Sequence, residues 1–138
     1  MKALRPTFIL SFILVFSYKM SIAQTNTKVS TLDFVQVLNE NKDEAIFYYE
    51  HNWKQLRIRA VEEGYISTFQ LLESPLYESE PFQIILMTTY DNVAQYEKSE
   101  ENFQELIKEQ GGVKLMNDKK PGDFRKVLFS RTNVKHLE

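Results

Sequence analysis

The chain has no cysteine among its 138 residues, two histidines, four glycines, four prolines and one tryptophan. Without cysteine there is no disulfide, no lipid-bearing thiol and no thiolate ligand, so the fold rests on its core alone and needs no oxidising compartment. A zinc site needs about three converging His, Cys or carboxylate ligands, and no such spacing occurs, so no metal is expected. A haem ligand would have to be His51 or His136. The first lies on the helix side opposite Trp53 and the second near the chain end, so no cofactor is expected either. Glycine is too sparse for a phosphate loop: the one pair, Gly111-Gly112, follows a helical pattern instead of opening one. Long apolar runs are missing as well. The longest, Phe8 to Phe16, has nine residues, whereas a spanning helix needs roughly 18 or more.

That short run nevertheless has the length of a signal-peptide core. Lys2 and Arg5 precede it, and Ser21-Ile22-Ala23 puts small residues where a signal peptidase cuts, before Gln24. Residues 1–23 are therefore expected to be a signal peptide and the mature protein periplasmic or extracellular. Lys19 stands late in the segment, and an uncleaved anchor is the competing reading. Cleavage leaves 115 residues and removes Lys2, Arg5 and Lys19 but no acidic group, so 14 basic side chains face 19 acidic ones. Such a balance speaks against nucleic acid or an anionic membrane as partner once the signal is gone. A chain this short can bury one core, and its ten Phe, seven Tyr and one Trp can fill it.

Residues 24–31 are expected to be a polar leader, 32–132 a single domain and 133–138 a loose tail. Leu32 to Leu38, with Phe34, Val35 and Val37, is predicted as a strand. Asn41 and Glu44 have capping-box spacing. Ile46, Tyr49, Trp53, Leu56 and Ala60 then recur at three- and four-residue steps, the mark of one buried helix face, and Gly64 suits the left-handed residue beyond the helix end. One helix over 41–63 is predicted. Strands are expected over 65–72 and 82–90, with Phe82, Ile84 and Leu86 on one face, separated by a proline-bearing loop. Asp91 or Asn92 caps a second helix buried through Val93, Tyr96, Phe103, Leu106 and Ile107 and stopped by Gly111-Gly112. A turn over 117–122 leads to a last strand, 126–129.

The order β-α-β-β-α-β, with right-handed crossovers, gives an α+β ferredoxin-like sandwich: a four-stranded antiparallel sheet with both helices on one face. The other face then carries Phe, Ile and Met among Thr and Gln. Its natural cover is a second copy, so a homodimer through the open sheet face is expected.

Three stretches resemble the dimeric α+β barrel superfamily, and within it small exported bacterial members of unknown role. They are Trp53-Lys54-Gln55-Leu56-Arg57, Gly64-Tyr65-Ile66-Ser67-Thr68-Phe69-Gln70-Leu71-Leu72 and Thr89-Tyr90-Asp91-Asn92. The resemblance covers about residues 32–131 and implies the fold and the dimer. Superfamily members include cofactor-free monooxygenases, haem-degrading enzymes, lactone isomerases and proteins without known activity, and fold alone does not choose among them. Relatives often carry a His one turn after the Trp, where this chain has Arg57. An arginine does not exchange its proton near neutral pH, which lowers an acid–base role.

Superfamily enzymes hold their ligand between helix and sheet, which here implies a site near Tyr49, Trp53, Arg57, Phe69 and Tyr90. An aromatic-lined cavity with one arginine would suit a small apolar molecule bearing an anionic group; the competing account is core packing with Arg57 reaching out to water. Phe47, His51, Lys54 and Ile58 form a sparse stripe on the outer helix face. Three functions remain open: an exported ligand-binding homodimer, a cofactor-independent monooxygenase or isomerase, and a non-catalytic envelope interaction module.

Overall fold

A computed structural model describes residues 26–137; the expected signal peptide lies outside the described residues. Four strands, β1 (Val29–Val37), β2 (Thr68–Glu73), β3 (Ile84–Tyr90) and β4 (Arg125–Lys135), form one sheet in the order β2-β3-β1-β4. Every neighbouring pair is antiparallel. The crossover from β1 to β2 leaves a gap that β3 fills, and the second crossover carries β4 to the far edge of β1. This is the ferredoxin-like α+β fold.

The first crossover is one continuous helix with an irregular middle: α1 (Lys42–Tyr48), a π turn (Tyr49–Trp53) and α2 (Lys54–Glu62). Its exit follows the expectation at Gly64, where φ is +71°. The Tyr65 amide reaches Ala60 O at 2.8 Å and the Gly64 amide Val61 O at 3.1 Å, the paired bonds of a Schellman ending. Its entry differs from the expectation. Asn41 makes no side-chain cap bond, because it and Glu44 are both held by the 117–123 turn. Lys119 Nζ donates to Asn41 Oδ1 at 2.6 Å and to Glu44 Oε1 at 2.5 Å.

The second crossover is α3 (Val93–Glu97) and α4 (Ser99–Gln110). Asn92 is the cap, its Oδ1 accepting the Gln95 amide at 2.8 Å. Gly111, at φ +76°, ends α4. A short turn of helix, α5 (Pro121–Phe124), leads into β4 and sinks Phe124 to 2% exposure.

Odd-numbered residues of β1 and even-numbered residues of β3 face the helices. Val35, Ile84 and Leu86 pack with Ala45, Tyr49, Trp53 and Phe124. Val29 and Tyr90 pack with Leu56, Ala60, Ile66 and Leu106. The opposite face is open and partly aromatic: Phe34 stacks on Phe129 at 4.5 Å and meets Phe82 edge-on at 5.0 Å. Phe82 thus departs from the expected face, since regular pairing begins only at Ile84.

β4 is longer than the four residues expected. A bulge at Leu128, between the pairs Val35–Val127 and Phe34–Phe129, turns Arg125 and Val127 toward the helices and Phe129 away from them. The strand continues through the segment expected as a tail because its end is tied down. His136 N donates to Lys28 O at 3.3 Å, and His136 Nε2 lies 2.7 Å from Ser30 Oγ, itself 2.8 Å from Thr89 Oγ1. The sheet accordingly begins at Val29, inside the expected leader, and runs to Lys135, inside the expected tail.

Candidate functional site

A cavity of about 330 Å³ lies between the long helix, β1, β3 and β4. Leu86 and Asp33 from the sheet form its floor, Tyr49, Trp53 and Arg57 its helical wall, and Arg125 and Val127 its β4 side. Ile107, Val113 and Val127 stand exposed around the mouth.

The helical wall is built on the π turn, which sets Tyr49 and Trp53 at its two ends. Such a turn widens the helix and leaves carbonyls to be met by other donors. Asn52 Nδ2 donates to Tyr48 O at 2.8 Å, and His51 Nδ1 lies 2.9 Å from Phe47 O. A carbonyl only accepts, so Nδ1 carries the proton. The His51 ring also stacks on Phe47 at 3.9 Å, outside the cavity. Asn52 does more than support the turn. Its Nδ2 donates to Lys114 O at 2.8 Å and its Oδ1 accepts the Lys114 amide at 2.7 Å, fixing the segment after α4 beside the mouth.

Two arginines enter the cavity in different ways. The guanidinium carbon of Arg57 lies 4.6 Å from the Trp53 ring centre and 4.2 Å from that of Phe103, and its Nε reaches Thr88 Oγ1 at 3.4 Å. Burial lowers its pKa to about 10, opposed by Tyr90 and Asp33. Arg125 lies over Tyr48 at 4.9 Å and 5.8 Å from the Tyr49 ring, and its Nη2 donates to Tyr48 Oη at 3.3 Å. Among the described residues its Nε and the hydroxyl of Tyr49 are buried and make no hydrogen bond of ordinary geometry. Burial pushes that hydroxyl up to about 12, partly offset by the charge of Arg125 and a weaker hydrogen-bond contact with it.

Of the five residues expected around one site, the structure brings Tyr49, Trp53 and Arg57 together on the cavity wall. Phe69 stands behind, edge-on to Trp53 at 5.8 Å, and lines a separate pocket of about 300 Å³ with Ile46 and Lys54. Tyr90 packs against Tyr96 at 5.3 Å in the second core cluster.

No family model matches this chain. No curated protein matches it either. One solved structure has a similar chain path: a Bacteroides thetaiotaomicron VPI-5482 protein, provisionally assigned as an antibiotic biosynthesis monooxygenase, with 10% identity and a TM-score of 0.43 over 81% of this chain and 90% of that one. The chemistry of the cavity is therefore read from its own side chains.

Those side chains include three that sequence reasoning passed over: Asp33, Asn52 and Arg125. A signal for two of them was present. Asp33 alternates with Val35 and Val37 on the core side of β1, and a lone carboxylate in such a row is unusual. Arg125 alternates with Val127 in the same way on β4. Asn52 had none, because its partner is a backbone group 62 residues away.

Proposed function

We propose that this chain is an exported homodimer that binds a small, largely apolar organic molecule between its long helix and its sheet. The observation that carries the reading is the cavity. It is a cleft of about 330 Å³, open to solvent on one side, at a seam between helix and sheet where the buried rings of Tyr49 and Trp53 meet two arginines. That volume lies at the small end of the range for ligand sites, roughly 300–1,000 Å³. Arg57 at about 10 and Tyr49 at about 12 keep their ordinary charge states across neutral pH, which suits binding and orientation better than proton exchange.

Export rests on the composition of residues 1–23, and pairing on the apolar open sheet face. Intact mass of protein recovered from outside the cytoplasm should correspond to a chain starting at Gln24; a mass including residues 1–23 would leave the anchor reading in its place.

Trp53 is the only tryptophan and reports on the cavity directly. Neutral 2-naphthol should quench its emission saturably at one site per chain. Val127→Phe, which narrows the mouth at a half-exposed position, should weaken binding about tenfold or more without altering the fold. Absence of saturable binding, or equal affinity in the variant, would remove the cavity as a ligand site.

A further inference from the structure

We infer that the cleft takes the carboxylate of a small, mostly apolar mono-acid on the paired Nη groups of Arg57, with the body of the acid against Leu56, Leu86 and Val127. The inference rests on the cleft being a ligand site and names the class of ligand.

The first ground is what Arg57 lacks. The ion pairs among the described residues are Lys42–Glu73, Arg59–Glu109 and Lys119–Glu44, and none includes it. Its one hydrogen bond among those residues is the long one from Nε to Thr88 Oγ1, at 3.4 Å. The Trp53 and Phe103 rings beside its guanidinium carbon hold the cation in place but offer its N–H groups no oxygen. Guanidinium N–H groups only donate, so the partner missing from Nη1 and Nη2 is an acceptor. A largely buried cation is rarely left unpaired. This one has its pKa lowered to about 10 by burial and is still charged at neutral pH.

Access is the second ground. Arg57 lines the cleft, and its Nη atoms are not sealed from solvent, in contrast to Arg125 Nε and the Tyr49 hydroxyl. Arg125 offers a ligand less, since its Nε is closed off and its Nη2 donates to Tyr48 Oη at 3.3 Å. One Nη group is left there. Arg57 presents two side by side, the fork that matches both oxygens of a carboxylate.

Charge supplies the third ground. Asp33 is the acidic side chain that lines the cleft, and its Oδ1 is engaged by Ser130 Oγ at 2.5 Å. Two guanidinium groups and one carboxylate leave a single excess positive charge, which suits a mono-anion. The apolar remainder, with Leu56, Leu86 and Val127, accommodates the rest of the acid.

The test compares 2-naphthoate with its neutral isostere 2-naphthamide, by calorimetry on the purified protein and on three variants. Naphthoate should bind about tenfold tighter. Arg57→Gln should erase that ratio while leaving naphthamide affinity in place. Arg57→Lys keeps the charge but not the fork, and should reduce the ratio several-fold. Lys108→Gln, which removes an exposed charge from α4, should keep it. Should Arg57→Gln fail to fold, Arg57→Lys decides the matter. Equal wild-type affinities overturn the carboxylate site and leave the cleft standing. So does a ratio kept in either Arg57 variant, or one lost in Lys108→Gln, which would mark a diffuse field instead of a site. If neither compound binds, both the cleft reading and the carboxylate site fall.

Discussion

Arg57 and Arg125 bring the same charge to one cavity, yet their surroundings give them different work. A guanidinium placed against aromatic rings gains about 1–2 kcal/mol per contact when desolvated, so Arg57, with Trp53 and Phe103 beside it, is held chiefly by those rings. The charge pair that replaced the expected helix cap makes a sharper residue-scale prediction. Hydrogen bonding from Lys119, followed by its own backbone and Asn117, holds Glu44 at about 2 against an ordinary 4.5. A depressed carboxylate contributes stability above its unfolded pKa and loses it as pH falls through the folded value, so this contact should be intact above pH 4.5 and fade toward pH 2. Lys119→Met should bring the Glu44 titration midpoint, followed by carboxyl NMR, back up toward 4.5. A midpoint unmoved in the variant would show that Lys119 is not the cause.

At the scale of elements, the π turn and the segment after α4 form one unit, with Asn52 as its joint. Asn52→Ala strips partners from both the N–H and the C=O of Lys114, a loss of about 1–3 kcal/mol where such groups stay buried. Amide exchange at Lys114 should rise accordingly. Asn52→Asp should not restore it, because an anion would then face the carbonyls of Tyr48 and Lys114. Unchanged Lys114 exchange in the alanine variant would show that the segment is held by other contacts. The sequence disclosed the helix but not this joint. Tyr49, Trp53, Leu56 and Ala60 keep three- and four-residue steps across the π turn, so the periodicity hides the extra residue. Gly64 was legible as an ending because its φ of +71° is one that glycine adopts without strain. The bulge that aims Arg125 inward was not, since bulges arise from pairing with β1 and leave no local pattern. The candidate site was accordingly readable on the helix at Tyr49, Trp53 and Arg57, whereas on β4 the alternation of Arg125 with Val127 was visible but the face it turns to the helices was not.

Seen as a whole molecule, the fold covers one sheet face with helices and leaves the other to Phe34, Phe82, Phe129 and their neighbours. Phe129 is 40% exposed and Leu72 42%, although Phe34 and Phe82 already gather around Phe129. Apolar surface of this kind on a small domain is a contact surface in waiting, and a second copy of the same face is self-complementary about a two-fold axis. The bulge at Leu128 strengthens the case, because it is what places Phe129 on this face. The same irregularity that points Arg125 toward the helices thus also sets Phe129 on the face that the proposed dimer would use. Sedimentation equilibrium of the purified protein should give twice the mass of the mature chain. Phe129→Glu, which sets a carboxylate in the middle of an apolar contact, should raise the dimer dissociation constant by about a hundredfold, the equivalent of roughly 2.7 kcal/mol. Naphthol binding by each chain should survive the substitution, since Phe129 lies across the sheet from the cavity. A wild-type protein that sediments as a single chain at high concentration would refute the pairing and leave the open face without its proposed cover.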